Sequence, residues 1–299
     1  MANLKKSRTS IVEGILGHNA APRNVVLRGM AGLEKTLERR LREVHRERME
    51  LSRANARLRD RLFGAQLRDV ASEAAIREQR ALVKKLRSRR VAPPQIPRKK
   101  ERVFVGSIGG SRVPPFDYPW TWSATAGSPS VATSADVNAG QMNVREYSDV
   151  NNGSSASARA ALGIFFTPPT EGTSHFRFWA NPAFNYFWDD YCTLDSAHSD
   201  GFIGLYAGEY DWSGAQTSVP VDQMLWLWSD DSWWFGASGQ GSNTGFPLSA
   251  DFEVDNDHWY ALWVWCGIDN SAAGLGGFFG SMSNGGLSVT VPSISWELG

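Results

Sequence analysis

The sequence predicts a protein in two parts: a long N-terminal α-helix of coiled-coil character, then an all-β domain, an antiparallel two-sheet sandwich of jelly-roll type. Three observations carry that expectation. The first is charge: the 299 residues have a formal net charge of zero, yet residues 1–102 hold 27 of the 31 Lys and Arg with 11 of the 31 Asp and Glu, a net of +16, and residues 103–299 carry −16. The second is aromatic content, since all 13 Trp, all 7 Tyr and 14 of the 15 Phe follow residue 102. The third is the apolar period, which changes from helical to strand-like at the same place. One homogeneous fold does not divide its residues this way. No run nears the ~20 apolar residues that a membrane-spanning helix needs.

In chain order, residues 1–29 form a segment expected to be partly disordered. Lys5, Lys6 and Arg8 precede an apolar run that Glu13 interrupts, so no secretory signal is expected. The protein is then one made in the cytoplasm and built into a particle or assembly. Residues 30–92 lack proline until Pro93, and Leu, Arg, Glu, Ala and Lys dominate as good helix formers. Leu37, Leu41, Val44, Leu51, Leu58 and Leu62 step by threes and fours, with Asn55 in the same seam. Asn at such a position costs stability but sets register and oligomer state. The stripe predicts a self-associating stalk, a homo-oligomer of two or three chains. The alternative is a solvated single helix laced by ion pairs three or four residues apart.

The arginine excess also raises nucleic acid as a partner. A leucine-zipper factor concentrates its bases before the zipper, whereas here they are spread along it and interleaved with acids. A sequence-independent contact with phosphates is compatible with +16, and so is an ordinary charged stalk drawn to acidic heads. Pro93, Pro94 and Pro97 then stop the helix and, with the basic run 98–102, make a semi-rigid linker over 93–102.

Residues 103–299 read as short apolar runs between Gly, Pro, Asn, Asp and Ser clusters. Strands are expected at 103–107, 141–147, 157–166, 175–180, 184–188, 201–209, 223–228, 232–235, 248–254, 259–268 and 287–298. Pro292 marks a bend in the last. The run at 259–268 is apolar on both faces, with Trp259, Trp263 and Trp265 on one and Tyr260, Leu262, Val264, Cys266 and Ile268 on the other. Such a strand is central and covered on both sides. Trp226 and Trp228 fall together on one face of a similar run. With Trp233 and Trp234, these indoles are core, a subunit contact or an aromatic platform for a ligand. Cys192 and Cys266 are too few for a disulfide framework; free thiols and a single bridge both remain open.

Chemistry is sparse. Glu253, Asp255 and Asp257 alternate, which on a strand spaces carboxylates at ~7 Å, within the range of glycosidase acid pairs. The run resembles the Glu-x-Asp-x-Glu signature of jelly-roll β-glucanases over five residues, with Asp257 where that family carries its acid/base Glu. The resemblance implies a glycoside hydrolase; the competing reading is the wet face of a strand end. Asp189, Asp190 and Asp195 could supply oxygens to Ca²⁺, and turn carboxylates explain them equally. No other cofactor is expected. The function expected is therefore non-enzymatic: a stalked, adhesin- or fibre-like binding protein whose head recognises a surface glycan or protein. The alternatives are a structural protein whose acidic heads dock on basic stalks, and the hydrolase.

Overall fold

A computed structural model describes residues 108–149, 154–168, 173–192, 196–232, 237–273 and 281–299, with individual residues between 28 and 61. The latter, among them Gly29, Glu34, Glu38 and Arg42, have helical backbone. Among the described residues no helical element is defined, so the expected helix over 30–92 is not supported. The seam residues Leu37, Leu41, Val44, Leu51, Asn55, Leu58 and Leu62 lie outside the described residues, as do the linker, the 103–107 strand, Trp233, Trp234 and Asp195.

The head is built from antiparallel strands: β1 (Ile108–Arg112), β2 (Tyr118–Ala126), β3 (Ser130–Asp136), β4 (Gln141–Asp149), β5 (Ser154–Phe166), β6 (Thr173–Ala180), β7 (Ala183–Cys192), β8 (Ser196–Tyr210), β9 (Gln216–Asp222), β10 (Leu225–Ser232), β11 (Ala237–Asn243), β12 (Leu248–Asp255), β13 (Trp259–Ala273), β14 (Ser281–Thr290) and β15 (Ile294–Leu298). They form a sandwich-like domain. One layer is a six-stranded sheet, β10-β8-β13-β5-β2 with β9 on β8. The other layer is divided between a five-stranded sheet, β11-β7-β14-β4-β3, and a four-stranded sheet, β1-β15-β6-β12.

The division corrects the expected single strand over 287–298. Pro292 cannot donate to a ladder, and the chain leaves the five-stranded sheet after Thr290 to enter the four-stranded one at Ile294. Val291 is tied at the crossing by donating to the Gly140 carbonyl, 2.8 Å away. The core shows why both small sheets share one partner. Tyr260, Leu262, Val264, Cys266 and Ile268 on the inner face of β13 join a single apolar cluster with Phe176, Phe252 and Val254 of the four-stranded sheet and Val144, Phe184 and Leu287 of the five-stranded one. The Phe166 and Phe176 rings meet at 4.5 Å between centroids, and Tyr186 stacks on Trp228 at 4.8 Å.

Cys266 is a free thiol in this core, and burial pushes it up to about 12. The Cys192 side chain lies outside the described residues. No helix among the described residues is long and apolar enough to cross a membrane.

Candidate functional site

The outer face of the six-stranded sheet holds most of the indoles singled out in the sequence. Tyr118, Trp120 and Trp122 of β2, Tyr206 and Tyr210 of β8, and Trp259 and Trp263 of β13 make a second apolar cluster. Trp259 and Trp263 are each only 1 % exposed. Trp259 stacks on Tyr210 at 4.3 Å and donates to the Asp211 carbonyl at 3.0 Å; Trp263 stacks on Tyr118 at 5.7 Å.

Part of the cover is the N-terminal region. Gly29 sits so close that a Cβ there would lie 2.6 Å from Cζ2 of Trp259 and 3.0 Å from Cδ1 of Tyr210. The Tyr118 hydroxyl donates to the Glu34 carboxylate. Among the described residues, the basic half thus meets the head through a glycine on an indole and an acid on a phenol. Gly29→Leu should lift this segment and cost about 1–3 kcal/mol by overpacking. A red-shifted indole emission with strand circular dichroism retained is the expected signature; an unshifted spectrum would show the contact to be dispensable.

The remaining tryptophans divide. Trp226 and Trp228 do not share a face: the register shifts between them where β10 pairs with β8. A bulge inserts one residue and reverses the alternation, so Trp226 faces outward against Phe202 at 5.6 Å. Trp228 points into the core and donates from Nε1 to Ser199 Oγ at 2.9 Å. Trp265 is half-buried against Phe202 at 5.5 Å.

A polar group that the sequence reading missed closes one end of the sandwich. On the outer side, Arg159 of β5 forks onto Asp269 of β13 with two 2.9 Å bonds, lies 4.3 Å from the Phe202 ring centroid, and is almost wholly buried with its partner. Beside it, His198 bonds Asp231 through Nδ1 and Asp200 through Nε2 at 2.9 Å. Burial alone would lower the imidazole pKa; the two carboxylates raise it to about 10. Both ring nitrogens are occupied, which leaves none to act as a base. On the inner side, Asp190 of β7 is fully buried near Ser283 and Asp230, and burial pushes it up to about 8. A pair of adjacent polar residues in each of several strands was the available signal, but without register it assigns no neighbours.

Asp189 and Asp190 are consecutive on β7 and fall on opposite faces, one exposed and one buried, so they do not share an ion as the Ca²⁺ expectation required. Among the described residues no group of His, Cys, Asp and Glu is arranged to hold a metal. The Glu253–Asp257 run is corrected too. β12 ends at Asp255, and Asp257 lies in the following turn, its amide donating to Asp255 Oδ1 at 2.9 Å. Glu253 faces His175 across the ladder at 3.2 Å, and Asp251 faces Arg177 at 2.7 Å. The carboxylates are cross-strand partners rather than a row of three.

Open rings occur elsewhere, on the outer face of the five-stranded sheet. Tyr147 of β4 and Phe187 and Tyr191 of β7 are exposed there, while Val144, Phe184 and Tyr186 turn inward. Phe187 lies in register with Gly286 and Arg145, and Tyr147 with Asn284 and Asp189.

No known protein family matches the chain, and no curated protein does. Among solved structures it is similar to the enzymatically active domain of bacteriophage CBA120 tailspike protein 4, at 12 % identity and TM-score 0.18, over 58 % of this chain and 19 % of that one. It is also similar to the infectious bursal disease virus Gx strain structure, at 11 % and 0.16 over 61 % and 36 %, and to a structure of carbohydrate-binding modules of the β-sandwich superfamily, at 11 % and 0.14 over 58 % and 56 %. The chain spans less than two thirds of the length of each.

Proposed function

We propose that this chain is a non-enzymatic binding protein acting as an assembly, in which the basic helical region gathers copies and a jelly-roll-like head meets a surface glycan or protein. The observation that carries this reading is the distribution of rings. Trp120, Trp122, Trp259 and Trp263 of the six-stranded sheet are spent on packing, partly under the chain's own N-terminal region, and the five-stranded sheet keeps an open aromatic face. The absence of catalysis is supported by the groups that would otherwise invite it: His198 is held between two carboxylates, and Glu253 pairs with His175. Lys35, Arg39, Arg42, Glu43 and Arg46 are exposed along the helical region, as a stalk leaving the head requires. Several weakly binding heads on one stalk gain affinity by avidity.

The second reading, acidic heads docked on the basic stalks of neighbours, draws on the split of +16 and −16 and predicts an assembly that dissolves at high salt. Light scattering on the full chain tests both. A dimer or trimer unchanged between low and high salt is expected, becoming monomeric in Leu41→Lys/Leu62→Lys with the head's near-ultraviolet spectrum intact. A monomeric parent overturns the stalk; dissociation by salt alone transfers the assembly to the charged contact.

A further inference from the structure

We infer that the open face of the five-stranded sheet binds a neutral, extended polysaccharide chain; this deepens the binding reading above and rests on it. Three rings stand on that face: Phe187 and Tyr191, four residues apart on β7, and Tyr147 on β4, with β14 between. They are 38 %, 53 % and 37 % exposed. At ~3.4 Å per residue and ~4.8 Å between strands, Phe187 and Tyr191 are about 13 Å apart, and Tyr147 is set about 10 Å to their side. The rings form a zigzag along the sheet.

The floor between them is low. A Cβ on Gly286 would lie 2.3 Å from Cε1 of Phe187, so that ring reaches across the β14 backbone where no side chain stands. Hydrogen-bonding groups fill the intervals. The Arg145 guanidinium is 5.8 Å from the Phe187 centroid, Asp189 and Asn284 share the row of Tyr147, and Asn143 and Asn185 share the row beyond Phe187.

A sugar ring presents an apolar face of C–H groups and a rim of hydroxyls, which is the complement of a ring flanked by amide and carboxylate. The competing ligands fit less well. The core of a protein interface is depleted of charge, but Arg145 and Asp189 lie among these rings. Single-stranded nucleic acid also stacks on aromatics but needs a basic track for its phosphates, and residues 103–299 contain four Lys and Arg against 20 Asp and Glu. The same −16 repels acidic polysaccharides. The edge strands β3 and β11 add small side chains such as Ala132, Ser134, Ser238 and Ser242, so the platform is open at both sides and suits a chain running across it.

The test is affinity electrophoresis of the full chain in native gels containing soluble β-glucan, xylan, mannan or galactan, with dextran sulfate as the anionic probe. Retardation by at least one neutral polymer is expected, while any retardation by dextran sulfate, which the +16 region can itself hold, should be unchanged in the ring variants below. Phe187→Ala and Tyr147→Ala should each weaken it about tenfold, the triple variant with Tyr191→Ala should abolish it, and circular dichroism should not change. No retardation by any neutral polymer, or retardation that survives the triple variant, overturns the inference. Loss of oligomer size in the triple variant makes the face a contact between copies, which sinks the polysaccharide while the assembly stands. A monomeric parent that is still retarded sinks the assembly and leaves the polysaccharide supported.

Discussion

Asp269→Ala should destabilise the head by about 3–5 kcal/mol, the cost of leaving a buried charge without its partner. Asp269 and Arg159 are nearly inaccessible, with side-chain exposures of 2 % and 4 %. The guanidinium has little else to turn to: Nη1 also donates to the Ala158 and Ile268 carbonyls at 2.9 Å, and its outer neighbour is the Phe202 ring. Removing both charges is a different experiment. Arg159→Met/Asp269→Leu keeps volume and should recover most of the loss. Urea denaturation reads both variants. Arg42→Ala is the control, because its pair with Glu38 is exposed and should change stability by no more than about 0.5 kcal/mol. If Asp269→Ala behaved like that control, the pair would not be buried in solution.

The second large effect is an alkaline loss of stability. Asp190 keeps its proton in the folded chain up to about pH 8, against an ordinary value of 3.8, because burial disfavours its charge. His198 keeps its proton to about 10, against 6.5, because Asp200 and Asp231 overcome the opposing effect of burial. In both cases the folded state holds a proton that the unfolded chain has released. Stability therefore falls as pH rises, from about 3.8 to 8 for Asp190 and from 6.5 to 10 for His198, each at up to about 1.4 kcal/mol per pH unit. Asp190→Asn supplies the neutral form permanently. It should match the parent near pH 4 and exceed it above pH 8 in thermal melts. Parallel curves for the two proteins would show that Asp190 ionises freely in the fold.

The strand at 259–268 and the existence of a sandwich were legible because apolar side chains alternate or run continuously there, and burial on two sides leaves no wet positions. What stayed hidden has a common cause. β3 (SVATSAD), β9 (QTSVPVD) and β11 (ASGQGSN) carry almost no apolar signal. They are edges held by backbone ladders to β4, β8 and β7, and such pairing leaves little trace in one sequence. The bulge that parts Trp226 from Trp228 shifts the phase by one residue, which composition does not reveal. The Glu253–Asp257 run breaks the expected alternation because a turn starts inside it, after Asp255. The ring platform had a readable signal: Phe184, Tyr186 and Trp188 alternate with Asn185, Phe187, Asp189 and Tyr191, so β7 is aromatic on both faces. The same test that singled out 259–268 applied there.

β13 is packed on both faces, with Trp259, Ala261 and Trp263 on one side and Tyr260, Leu262 and Val264 on the other, all essentially inaccessible. A strand with one wet face lets every second codon drift. From Trp259 to Val264 this one offers no such relief, so in a saturation library the tolerance map of that stretch should be an unbroken block of constraint, and variation should escape instead into the serine-rich margins.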